Sequence, residues 1–157
     1  MTGIRNTTSR LTRDEDGAAM IEMAVVFPIL FAIGLGVIEF GNLFYNYHLI
    51  ANSVRDAARY ASGRPHDCGC TTDIQNIAKS GTISGSPNPW WATPGAAVSV
   101  VYGSTPNLNN EFRGGENIYT VTVTATVPYA SLGFLGYFAL NAPTLTFSHE
   151  ERVIGVR

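Results

Sequence analysis

The sequence is short of charge and of cysteine. Of its 157 residues 14% are Asp, Glu, Lys or Arg, the formal net charge is −2, and there are two cysteines. No basic patch is present to neutralise phosphates, which argues against a nucleic-acid partner. A phosphate-binding glycine loop, a nucleophile with an adjacent base and a carboxylate dyad are also missing, so the chain does not read as an enzyme and calls for no cofactor. One gap in the charge stands out near the N-terminal end: the sixteen positions from Met23 to Ile38 carry none, and between Ala18 and Ile38 the one charged residue is Glu22.

What fills that gap is an apolar helix. Sixteen residues at about 1.5 Å each cover roughly 24 Å, so their flanks must help to span a bilayer core of about 30 Å. We read 18–39 as the transmembrane half of the helix. The helical period then continues: Phe40, Tyr47, Val54 and Ala61 recur every seven residues, with Leu43/Phe44, Ile50/Ala51 and Ala57/Ala58 between them. Such a stripe defines an amphipathic stalk over 40–63 that packs on its own domain or on neighbouring helices. Gly63 stands at the cap position, and Arg64 and Pro65 end the helix. Pro28, inside the membrane half, removes a backbone donor and predicts a kink unless neighbours absorb it; proline is also common in such helices without any function.

The polar leader 1–17 carries Arg5, Arg10 and Arg13. Counting Lys and Arg places this end in the cytoplasm and the C-terminal domain outside the membrane, although Arg55, Arg59 and Arg64 weaken the contrast. Secretory cleavage at Gly34-Leu35-Gly36 is the rival reading, and the uninterrupted helical pattern speaks against it.

Glu22 needs an explanation, because a carboxylate within a bilayer costs roughly 2.5–3.5 kcal/mol on insertion scales. A cut after Gly17 would create an α-amine on Ala18, with a reference pKa of about 7.7–8.0, able to pair with Glu22 of a neighbouring subunit. Alternatively Glu22 lies at headgroup level, where the cost largely vanishes.

Gly17 followed by Glu22 as fifth residue of the cut chain matches the processing motif of type IV-like prepilins. The run RDEDGAAMIEMAVVFPILFAIGLGVIEFGNLFYNYHLIANSVRDAARYASG closely resembles TadE-like proteins of tight-adherence (Flp) pilus systems, in D-G-A-A-x-x-E, Phe27-Pro28, the exit I-E-F-G-N-L-F-Y and the ending A-N-S-V-R-D-A-A-R-Y-A. TadF-like siblings share the N-terminal motif. The resemblance implies a minor pilin or pseudopilin in the bacterial cytoplasmic membrane, cut by a prepilin peptidase between Gly17 and Ala18. It implies Glu22 as the assembly carboxylate, and sibling pilins, the assembly platform and membrane lipid as partners. Met23 departs from the pattern, since an aromatic often follows the glutamate.

Beyond the stalk, 64–157 reads as one small α+β domain. Thr72-Asp73-Ile74-Gln75 is a capping-box pattern, and Ile74, Ile77 and Ala78 give a short helix an apolar edge before Gly81. A loop holds Trp90 and Trp91, which plug a small core or form a binding spot. Ala97 to Tyr102 predicts a strand. Tyr119 to Val127, with valine or alanine alternating with threonine, predicts a half-buried one. Tyr129 to Pro143 is an apolar excursion that covers the sheet, makes an interface or dips to the membrane surface. A last strand begins at Thr144. The expected architecture is a long N-terminal helix against a three- or four-stranded antiparallel sheet.

Cys68-Gly69-Cys70 is the one chemical motif. Outside the cytoplasm the pair favours a disulfide. His66, Cys68 and Cys70 offer three metal ligands without an apparent fourth, and a spacing unlike ordinary zinc sites, so no metal is expected. Two functions from different classes therefore stand: a pilus subunit carried by Gly17 and Glu22, and a membrane-anchored periplasmic protein with redox or metal chemistry at Cys68/Cys70. His48 and His149 read as surface residues.

Overall fold

The computed structural model describes residues 15–112 and 115–155. The leader arginines expected to orient the chain therefore lie outside the described residues. One helix, α1, runs Glu15–Ser62, and its helical assignment passes through Pro28. The chain divides into two compact units, Met1–Ile38 and Glu39–Arg157.

In the first unit, α1 is long and apolar enough to cross a membrane, and its most apolar window has no buried residue. Met20, Phe27, Leu30, Ile33 and Val37 all face outward. An all-round apolar helix is stable in hydrocarbon, because every backbone bond closes within the segment and its side chains meet lipid.

The second unit is built on the rest of α1. Ile50, Ala51, Val54, Ala57, Ala58 and Ala61 are buried, spaced three and four apart as one helix face requires. All of these but Ala51 share a core with Ile74, Ile77 and Ala78 of α2 (Thr71–Ser80) and with Val121, Val123, Ala125 and Val127 of the central strand. Alanine at 57, 58 and 61 lets α1 approach its neighbours closely, and burying each branched side chain stabilises by about 1.5–3 kcal/mol.

The strands are β1 (Ala97–Pro106), β2 (Asn117–Pro128) and β3 (Thr144–Arg152), all antiparallel in the order β1-β2-β3. Val123 stands between Val100 and His149, and Val127 opposite Leu145. Period two then puts Val121, Val123, Ala125 and Val127 inward and the intervening threonines on the open face, where the Thr124 and Ser148 hydroxyls bond at 2.9 Å. This is the expected α+β arrangement, a long N-terminal helix packed on a small antiparallel sheet, here of three strands.

Three local expectations are corrected. The predicted capping box is absent: α2 starts two residues earlier, with Cys70 rather than Thr72 at its N-cap and no side-chain cap, while the Gln75 amide donates to the Val98 carbonyl at 3.2 Å. Gln75 gains more from tying α2 to an edge strand than from closing its own first turn. The predicted stripe is covered only in part, since Phe40 and Phe44 stay exposed. The sheet covers the last turns of α1 and does not reach down to them. His149, expected on the surface, occupies the inward register of β3 and is only half exposed, with Nε2 3.0 Å from Glu151 Oε1.

The end of the chain is fastened to the end of α1. The Ile154 and Gly155 amides donate to the Ser62 carbonyl at 2.7 and 3.1 Å. Gly155 passes so close to the Arg64 backbone that a Cβ there would collide with it.

Candidate functional site

Gly17, Ala18 and Glu22 lie together in the first turns of α1, all exposed. Residues four apart on a helix share a face, so the backbone nitrogen of Ala18 and the carboxylate of Glu22 sit one turn apart on one side. Gly17 lies within the helix, where glycine costs about 1 kcal/mol relative to alanine.

Cys68 and Cys70 are joined as a disulfide in the turn between α1 and α2, with Cα atoms 5.2 Å apart. Cys70 is buried, and its amide donates to Cys68 Sγ at 3.4 Å. A disulfide sulfur is not a thiolate and is a poor metal ligand. Among the described residues no group of three His, Cys, Asp or Glu is arranged to hold a metal. The His66 ring instead stacks on Tyr119, with centroids 3.9 Å apart. Trp90 and Trp91 form a 3-10 turn (Pro89–Ala92) and pack against the core. Trp90 also lines a cavity of about 270 Å³ with Ile50, Pro128, Tyr129 and Leu145.

A site that the residue pattern did not single out lies at Glu39. This glutamate is 1% exposed. Its Oε1 accepts the Leu132 amide at 3.2 Å, and its backbone carbonyl accepts the Tyr129 hydroxyl, also at 3.2 Å. The Asn42 amide donates to the same hydroxyl at 2.9 Å. Ser131 and the Phe134 amide face the carboxyl group as well, while Oε2 is buried without a hydrogen bond. Burial pushes the Tyr129 hydroxyl above its ordinary pKa; the bond from Asn42 opposes this and the Glu39 carboxylate adds to it. Tyr129 therefore stays a neutral donor.

The loop after β2 is thus latched to α1 at Glu39. Gly133, at φ 105°, opens the single turn α3 (Phe134–Tyr137). The Phe138 and Leu140 amides both return to the Leu135 carbonyl, and Leu135 alone of this turn is buried. The sequence signal for Glu39 was available: an acid directly after a charge-free helix, and a later stretch, Asn117 to His149, without Asp, Glu, Lys or Arg.

Fold and sites together define a class: a subunit with one apolar helix suited to a single-pass membrane anchor and a small helix-on-sheet head. Within that class, residues 17–59 match the family model described as TadE-like protein. The match begins at Gly17, includes Ala18, Glu22 and Glu39, and ends before the disulfide and the sheet. No curated protein and no solved structure matches the chain. A TadE-like stretch implies involvement in tight-adherence pilus systems and association with pilus assembly components.

Proposed function

We propose that the protein is a minor pilin or pseudopilin of a tight-adherence (Flp) pilus system, made as a precursor and cut between Gly17 and Ala18 by a prepilin peptidase. The observation that carries this reading is the TadE-like match starting at Gly17, with Glu22 one helical turn beyond Ala18 at the head of an apolar helix. After cleavage, the Ala18 amine is a cation on the same helical face as an anion that lipid would otherwise penalise. Pairing that amine with Glu22 of a neighbouring subunit removes both costs and sets the stagger of one anchor against the next. The N-terminus faces the cytoplasm, the head lies outside the membrane, and sibling pilins and the assembly platform are the partners.

Intact mass and N-terminal sequencing of the protein from its native membrane test the reading. A mature chain beginning Ala18-Ala19-Met20 is expected. An uncut chain recovered beside an active peptidase overturns it.

A further inference from the structure

The loop latched by Glu39 carries an exposed apolar surface of unusual composition. Tyr137 is 87% exposed, Leu140 53% and Leu132 52%, and Phe138 is exposed beside them. The hydrogen bonds from Phe138 and Leu140 to Leu135 hold these side chains outward while Leu135 points in. The exposure is therefore part of a built turn, and it is an expensive one in water.

Its height along α1 is set by the latch. The Leu132 amide bonds the side chain of Glu39, the residue joined directly to Ile38 at the end of the charge-free run. That run covers roughly 24 Å of a core of about 30 Å, so the residues after Ile38 belong to the boundary between acyl chains and headgroups. Left open, a carboxylate at that level would face headgroups and water. Glu39 is instead wrapped by Leu132, Ser131 and Phe134. The same wrapping holds Leu132 at that boundary, and with it the turn that carries Tyr137, Phe138 and Leu140; Phe40 and Phe44, on the part of α1 that follows Glu39, are exposed as well. Tyrosine and other amphipathic or apolar side chains partition favourably there.

We propose that the 130–142 loop is a second membrane contact, resting Leu132, Tyr137, Phe138 and Leu140 in the interface of the bilayer that α1 crosses. The inference rests on the membrane-anchor part of the reading above and is independent of the cleavage. The loop has no Lys or Arg, so its contact is with the apolar boundary and does not require anionic lipid.

The test uses the full chain in phosphatidylcholine vesicles, with Tyr137→Trp as reporter and the unsubstituted protein, with its native Trp90 and Trp91, as the baseline. Tyr137 is so exposed that the change leaves the head intact, and Leu140→Trp gives an independent second reporter. The expected result is that the added emission is blue-shifted, reduced about twofold by brominated acyl chains and insensitive to added phosphatidylglycerol. Protein that floats with the vesicles but whose added tryptophan is open to aqueous acrylamide overturns the inference and leaves the anchor standing. Protection from acrylamide without quenching by brominated lipid overturns it in favour of packing against another subunit. A chain that does not float with the vesicles overturns the anchor and the inference together.

Discussion

At position 39 a carboxylate has left water, and what it gains is a fixed loop: one oxygen takes the Leu132 amide, and the other is buried without a bond. Replacing it by an apolar residue strands the Leu132 donor. Removing one partner of a buried hydrogen bond costs about 1–3 kcal/mol, so Glu39→Leu should lower stability by that amount and speed proteolysis within 130–142. Glu39→Gln keeps an acceptor for Leu132 and removes the buried charge, so its effect should stay within about 1 kcal/mol. Urea unfolding of the detergent-solubilised full chain, read beside limited proteolysis, checks both. Equal losses for the two variants would show that charge rather than the latch holds the loop.

This residue also marks where periodic patterning stopped being a guide: its charge stood out in the sequence, its partners did not. Its burial depends on Tyr129, Ser131 and Leu132, which are remote in the chain and make no periodic pattern with it. The Thr72–Gln75 pattern failed for a related reason: a local motif competed with a tertiary bond from Gln75 to β1 and lost. The spacing of Gly17 and Glu22 on one helix could be read directly because the chain itself sets it; the roles proposed for them rest on more than that spacing.

Among the elements, α2 shows how much of the fold was open to inspection. Ile74, Ile77 and Ala78 were placed on one edge by helical spacing, and all three are buried. Ile74→Ala should cost about 2–5 kcal/mol, the usual range for truncating a fully buried aliphatic side chain. Ile83, just beyond the helix, is substantially exposed, and Ile83→Ala should change stability by less than about 0.5 kcal/mol. Paired denaturation curves decide the matter, and comparable losses at the two positions would contradict the packing described here. β2 was equally legible, because Val/Thr alternation has one solution when a single face is covered. The apolar excursion after it was not, because apolar content alone does not distinguish a side chain turned inward like Leu135 from one turned outward like Tyr137. The lower stripe of α1 had the same ambiguity: Phe40 and Phe44 continue a core pattern past the point where the core ends.

For the molecule as a whole, the proposed cleavage has an unusual electrical signature. The leader holds three Arg against Asp14, Glu15 and Asp16, so its removal takes away equal numbers of each sign and leaves the net charge at −2. Precursor and mature chain should therefore separate by mass and nearly coincide on isoelectric focusing. A clear shift in isoelectric point would mean that the cut falls elsewhere.

The order of synthesis gives a different meaning to the bonds that fasten Ile154 and Gly155 to Ser62. α1 is made before the strands that cover Ile50 to Ala61, and the bonds to Ser62 need residues that lie beyond β3. Until then the apolar flank of α1 from Ile50 to Ala61 is uncovered, and helices carrying such flanks associate wrongly. The bonds of Ile154 and Gly155 to Ser62 thus close a loop of chain that holds both α2 and the whole sheet, so the end of α1 keeps its partners only once β3 is in place.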